Sequence, residues 1–298
     1  MKPSLKDRLV EVLTSSTNPP LPPRRVTPFS DVAVTESSPL FGQSIPLFRT
    51  SGTWITALFF CLSPLAATAQ SRTITTVTHY RSGSGFFVNL QGQVVTNAHV
   101  LDKNCTAIEV RAQGQIYPAI IVAFDEARDL AVVQASTYPG STPLALRDPG
   151  SPPRPGENAL ALGFPGEYAQ RGELKISPSK IKEAEAKLNG MNDTYVTFTR
   201  SVEQGSSGGP LVDESGNVMG VVRGTGHMRT YNPANNQTLS ADDMDIAIGG
   251  ASLRAFLDQN RISYQTRYTN TRWDADLIRV RLLASVPNVR CVLPAGAH

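Results

Sequence analysis

Between residues 73 and 250 the chain is a succession of short apolar, β-branched runs broken by turn residues, and this spacing constrains the fold more than any other feature. Runs this short suit strands, because a helix needs a longer stretch with an apolar stripe repeating every 3.6 residues. In the first half the runs are Thr73-Ile74-Thr75-Thr76-Val77, Gly85-Phe86-Phe87-Val88, Val94-Val95-Thr96, Ala107-Ile108-Glu109-Val110 and Leu130-Ala131-Val132-Val133, with turns at Gln91-Gly92 and Gln113-Gly114. In the second half they are Asn158-Ala159-Leu160-Ala161-Leu162-Gly163, Tyr195-Val196-Thr197-Phe198-Thr199 and Val218-Met219-Gly220-Val221-Val222. Residues 138–156 hold Pro139-Gly140, Asp148-Pro149-Gly150 and Pro152-Pro153-Arg154-Pro155, too much punctuation for regular structure, and read as a crossing segment. The pattern predicts an all-β chain in two halves, the first a small barrel. A charged stretch at 180–188 reads as a solvated loop or short helix, and 251–258 as a terminal amphipathic helix turning Leu253, Phe256 and Leu257 to the core.

Composition narrows the function classes. A chain of 298 residues with 40% hydrophobic side chains can bury one sizeable core or two. Its 28 basic and 25 acidic residues leave a net charge of +3 without a basic stripe, which argues against nucleic acid as a partner. The histidines His79, His99, His227 and His298 are scattered and no CxxC spacing occurs, so neither a metal nor an organic cofactor is expected. Cys105 and Cys291 read as two unrelated thiols, with pairing as the alternative, since spacing alone does not establish proximity.

The N-terminal region differs from the rest. Residues 1–52 are rich in Ser, Thr and Pro, including Asn18-Pro19-Pro20-Leu21-Pro22-Pro23, and read as an extended or disordered extension or a misassigned start. Residues 53–69 follow, with an apolar block at 54–67 that contains Cys61 and Pro64 and ends in Ala67-Thr68-Ala69, small residues of the kind a signal peptidase cuts after. The block is short for a membrane span. It reads either as a cleaved secretory signal or as an uncleaved membrane anchor, and both place the rest of the chain outside the cytoplasm.

One loop and two distant segments carry the chemistry. Gln204-Gly205-Ser206-Ser207-Gly208-Gly209-Pro210-Leu211 sets a serine among backbone donors. A serine hydroxyl is a weak nucleophile until a neighbouring base takes its proton. Thr96-Asn97-Ala98-His99-Val100 supplies a histidine, and Ala127-Arg128-Asp129-Leu130-Ala131 a carboxylate. With Gly83-Ser84-Gly85-Phe86 and the closing Ile246-Ala247-Ile248, these anchors over residues 73–258 resemble the chymotrypsin-like serine peptidases, and most closely their HtrA/Deg-type bacterial branch.

The resemblance implies two antiparallel β-barrels, at about 73–145 and 156–250, and a serine endopeptidase acting on protein or peptide substrates. It implies Ser207 as nucleophile, His99 as general base and acid, and Asp129, rather than the nearby Asp125 or Glu126, as the group orienting His99. The amides of Gly205 and Ser207 would face the oxyanion, with Gly208 and Gly209 permitting the turn. Ser201, Val221, Val222 and Arg223 would shape the primary substrate pocket. None is acidic, which favours a small or medium apolar side chain over Lys or Arg, although the insertion at 224–243 reaches far enough to alter this. Ser206 stands where zymogen-activated members carry an aspartate, so any regulation is expected from loop ordering near 166–190. Residues 259–298 read as a tail, too short for a PDZ module, whose Arg279-Val280-Arg281-Leu282-Leu283 resembles an edge strand. The rival readings are an esterase and a catalytically inactive or latent protease-fold protein that binds peptides. Oligomeric state stays open.

Overall fold

A computed structural model of the chain describes residues 10–12, 79–137, 140, 142–187, 193–231, 238–268, 272 and 275–294. The run at 73–77 and the segment 53–69 lie outside these, as does 1–52 apart from β1 (Val10–Val12). That short β-branched strand pairs antiparallel with Met228–Thr230, an exception to the reading of 1–52 as an extended or disordered extension. Among the described residues no helix is long and apolar enough to cross a membrane.

The first barrel is built from β2 (Tyr80–Ser84), β3 (Phe86–Phe87), β4 (Gln93–Thr96), β5 (Ala107–Ala112), β6 (Gln115–Asp125) and β7 (Leu130–Ala135). Alternation drives the pleat: Phe87, Val94, Val110, Ala131 and Val133 turn inward and are buried together. The second barrel follows β8 (Leu146–Arg147) and comprises β9 (Asn158–Gly163), β10 (Lys175–Ala186), β11 (Tyr195–Thr199), β12 (Pro210–Val212), β13 (Val218–Tyr231) and β14 (Thr238–Gly249), with helix α1 (Gly166–Arg171) between β9 and β10. Its strands run in the order β12-β9-β10-β11-β14-β13, and pairing of β12 with β13 closes the ring. The chain thus forms two closed or nearly closed antiparallel barrels. A larger apolar cluster joins them, taking Phe86 and Leu130 from the first, Ile248 and Val221 from the second, and Leu253, Phe256 and Leu257 from helix α2 (Gly250–Gln259).

Three local expectations change. Residues 180–186 belong to strand β10, because small or apolar Ser177, Ser179 and Ile181 alternate inward while the charged neighbours Lys180 and Lys182 face water. The stretch 279–283 lies on helix α3 (Ala275–Leu283), where Ile278 and Leu282, four apart, pack into the inter-barrel cluster. Finally, the tail is not separate from the barrels. After β15 (Thr266–Arg267), which pairs with β8 in parallel, and α3, strand β16 (Asn288–Val292) inserts between β2 and β5 as the seventh strand of the first barrel.

This insertion also overturns the reading of two unrelated thiols. Register sets Val292 opposite Ala107, which carries Cys291 beside Cys105, and the two form a disulfide with Cα atoms 5.2 Å apart across a sequence separation of 186. Closing a loop of that length removes unfolded-state entropy equivalent to about 5 kcal/mol in the chain-entropy treatment.

Candidate active site

Each candidate side chain sits in a turn or loop next to a strand terminus. Strand β4 stops at Thr96, and the chain enters a 3-10 turn, Ala98–Val100, that buries Ala98 and Val100 and leaves His99 about half exposed. The turn between β6 and β7 ends at Asp129, whose φ of 58° lies in the left-handed region. A non-glycine residue pays for that conformation unless its surroundings hold it. Here the Asn97 amide donates to the Asp129 carbonyl at 2.8 Å.

The turn delivers the Asp129 carboxylate to His99. Oδ1 accepts the His99 main-chain N–H at 3.0 Å, and the ring Nδ1 lies 2.8 Å from Oδ2 and 3.0 Å from Oδ1. A third contact comes from the other barrel, where Arg223 Nε donates to Oδ2 at 3.0 Å. Burial pushes the Asp129 carboxyl up, but the hydrogen bonds and charge of His99, with the charge of Arg223, outweigh it and hold the group below its ordinary value of 3.8. The neighbouring carboxylates are engaged elsewhere: Asp125 pairs with Arg128 at 2.6 Å and Glu126 with Lys103 at 3.6 Å.

Ser207 faces them from the glycine-rich loop ahead of β12. Its hydroxyl donates to the Arg223 carbonyl at 3.1 Å rather than to His99. Gly205 adopts φ 102°, and a Cβ there would stand 2.8 Å from the Phe164 carbonyl oxygen. At Gly209 a Cβ would fall 1.9 Å from the Leu162 carbonyl oxygen, so neither position admits a side chain. The Gly208 amide donates to Val222 at 2.8 Å and the Gly209 amide to Ser206 at 3.0 Å. The amides of Gly205 and Ser207 donate to no protein acceptor among the described residues, which leaves two main-chain donors in the loop that bears the hydroxyl.

Ser84 orients this loop and was not singled out as a site residue. Fully buried, its hydroxyl donates to the Gly205 carbonyl and accepts from the Phe164 amide, both at 2.8 Å, while its own amide donates to the Ser207 carbonyl at 2.7 Å. Drawing both carbonyls toward Ser84 turns the loop's amides the other way. The only sequence signal was its place in Gly83-Ser84-Gly85-Phe86.

His99, Asp129, Ser207 and Gly205 line one cleft of about 1630 Å³. Arg223 lines it too, followed by Gly224 and Thr225 of β13 and Ile246 of β14. Val221 and Val222 do not: both are fully buried, because β13 is packed on its two faces here, Val221 into the inter-barrel cluster and Val222 into the second barrel's core. Ser201 is half-buried behind the wall, its hydroxyl 2.6 Å from that of Ser179. Asp245, absent from the sequence-based pocket, is fully buried and accepts from the amides of Ser201 and Val202 at 2.5 and 2.8 Å and from the Thr225 hydroxyl at 3.0 Å. It braces the wall without facing the cleft. Among the described residues no group of His, Cys, Asp and Glu is arranged to hold a metal ion.

Two antiparallel barrels, with an aspartate-braced histidine on one and a glycine-rich serine loop on the other, are the architecture of the trypsin-like serine peptidases. Residues 83–221 match the family model of the trypsin-like peptidase domain. It is 33% identical over 213 residues to the uncharacterized protein y4bJ of Sinorhizobium fredii, covering 70% of this chain and 32% of that one. Serine protease HTRA4 of Homo sapiens is 36% identical over 144 residues, covering 47% and 29%. Serine protease Rv3671c of Mycobacterium tuberculosis is 34% identical over 152 residues, covering 48% and 36%. The chain therefore spans about a third of the length of these relatives. Among solved structures, the active form of the Rv3671c protease aligns with a TM-score of 0.48 at 26% identity, over 61% of this chain and 75% of that one.

Proposed function

We propose that the chain is a serine endopeptidase that hydrolyses peptide bonds through an acyl-enzyme on Ser207. One observation carries the reading: a buried carboxylate, Asp129, grips both the main chain and Nδ1 of a half-exposed histidine that shares a cleft with Ser207. With Nδ1–H held by Asp129, the other ring nitrogen is the one left to act as base. His99 takes the Ser207 proton as Oγ attacks the carbonyl carbon, then delivers it to the leaving amine; water reverses the sequence to release the acid. The amides of Gly205 and Ser207 stabilise the charge that develops on the carbonyl oxygen.

The substrate side fits an extended peptide. Along residues 224–227 of β13, on the side away from β14, no strand is paired among the described residues, and a substrate strand would add there beside Ser207. Thr225 and Ile246 suit a small or medium apolar side chain. Export, with 53–69 as cleaved signal or tether, is the localisation proposed with this activity.

A second reading rests on the Ser207 hydroxyl, which is bonded to the Arg223 carbonyl and not to His99: the chain is a latent or inactive protease-fold protein that binds peptides. Fluorophosphonate labelling of the protein, beside Ser207→Ala and His99→Ala, separates the two. Labelling lost in both variants supports the hydrolase, whereas a folded protein that binds peptides and never labels overturns it.

A further inference from the structure

Arg223 touches two of the three proposed hydrolytic residues by different parts. Its carbonyl accepts the Ser207 hydroxyl at 3.1 Å, and its guanidinium Nε donates to Asp129 Oδ2 at 3.0 Å, the same oxygen that takes the closer contact of His99 Nδ1. A cation placed to recognise substrate charge would keep its donors toward the cleft. This one is three-quarters buried and spends Nε on a side chain of the protein.

We propose that Arg223 is a positioning residue of the hydrolytic site: its guanidinium fixes the Asp129 carboxylate for His99 and, by sharing that carboxylate's charge, makes His99 a weaker base. The inference rests on the serine-endopeptidase reading. Its physical content is a competition. When His99 takes up a proton, one carboxylate must serve two cations, so the imidazolium is stabilised less than it would be beside Asp129 alone.

The other charges near His99 do not offset this. From β2, Arg81 pairs with Asp102, which follows the 3-10 turn, at 3.1 Å; Lys103 pairs with Glu126 of the β6–β7 turn at 3.6 Å. Across the cleft Glu203 is bound to Lys175 of β10. The Tyr195 phenol of β11 is pushed up, by burial above all, and is neutral throughout the range in which histidine titrates. Among the described residues, Arg223 is the one cation besides His99 bound to the carboxylate that holds the histidine. The consequence is a carboxylate held between His99 and a guanidinium contributed by the second barrel.

The test is an NMR pH titration of the His99 ring in the full chain carrying Ser207→Ala, with the resonance assigned by its loss in His99→Gln. Adding Arg223→Gln is expected to raise the His99 midpoint by about one pH unit, and Arg223→Lys to return it toward the parent. A midpoint unchanged in Arg223→Gln overturns the proposal. Should that variant not fold, Arg223→Met, which keeps the aliphatic stem packed, carries the same expectation. In the active protein the acid limb of kcat/KM is expected to move by the same amount. A purely structural role would lower kcat/KM without moving the limb, and a substrate-pocket role would change KM for acidic peptides alone; either result overturns the proposal. Because the titration needs no turnover, it reports on Arg223 even if the endopeptidase reading fails, and a fluorophosphonate-inert wild type would mark that failure separately.

Discussion

Replacing Ser84 by alanine removes one oxygen that serves two main-chain groups, and the cost follows from their burial. The Phe164 amide is fully enclosed, and without an acceptor it carries most of a desolvation penalty of about 1–3 kcal/mol. The Gly205 carbonyl is only partly buried and can recruit water, so its loss adds about 1 kcal/mol. A total near 2–4 kcal/mol, set against a typical domain stability of about 5–15 kcal/mol, leaves the protein folded.

The larger effect falls on turnover. Once its carbonyl is released from Ser84, the Gly205–Ser206 peptide is free to rotate, and with it goes the fixed direction of the neighbouring amides. Losing one aligned oxyanion donor costs about 10²–10³ in kcat; a loop that still samples the aligned state loses less. Ser84→Ala is thus expected to lower kcat about 10- to 100-fold with little change in KM, since the proposed oxyanion donors would act on charge that appears only in the transition state. Steady-state kinetics on a cleaved peptide, beside denaturant unfolding of the same preparation, give both quantities. A variant destabilised as computed yet turning over within about twofold of wild type would show that the loop keeps its shape without Ser84, and the reasoning would be refuted.

Other consequences are as direct. Cys105→Ala or Cys291→Ala is expected to lower stability by about 2–5 kcal/mol, read by denaturant unfolding without reductant; equal midpoints for variant and wild type would contradict it. Asp129 binds its proton more weakly in the folded chain than in the unfolded one, so its contribution is present above the ordinary value of 3.8 and fades as pH falls through the depressed folded value. The stability gap between wild type and Asp129→Asn should accordingly be full at neutral pH and close below about pH 4; a gap independent of pH refutes the assignment. Ending the chain after residue 284 is expected to abolish fluorophosphonate labelling although His99, Asp129 and Ser207 all remain.

The parts of the site legible in the sequence are those encoded locally. The run Val94-Val95-Thr96 ends a strand and hands His99 to a turn, Leu130 to Val133 pin Asp129 at a strand start, and the glycines around Ser207 declare a turn wherever the loop sits. Helix α2 announced its buried face through Leu253, Phe256 and Leu257. Strand β10 hid because two of its inward positions are serines, only Ile181 and Ala186 of the inward set are apolar, and lysines and glutamates dominate its outward face, a composition that helices share. Strand β6 was overlooked for the opposite reason: Ile116, Ile120 and Phe124 sit at 52%, 66% and 40% exposure, so apolar residues mark its outer face and blur the alternation. Ser84 and the Arg223 guanidinium owe their roles to partners 121 and 94 residues away, and no local pattern records such a distance.

The same limit explains why residues 259–298 read as a tail, although they brace the proposed site. Strand β16 pairs with β2 along its whole length, from Asn288 opposite Ser84 to Val292 opposite Tyr80. The Asn288 side-chain amide donates to the Gly83 carbonyl at 2.6 Å and to the Ser82 hydroxyl at 2.8 Å, while the amides of Gly85 and Phe87 donate to the carbonyls of Pro287 and Ser285 at 3.0 and 2.9 Å. Ser84 is therefore held from both sides by residues 285–288, and Ser84 in turn holds Gly205 and Ser207. Without β16 the barrel opens between β2 and β5, Val289 and Cys291 leave gaps in its wall, and the strand bearing Ser84 becomes an unsupported edge. A segment some eighty residues downstream of the proposed nucleophile thus underpins the two amides on which the proposed chemistry depends, and the disulfide to Cys105 anchors that segment at its far end.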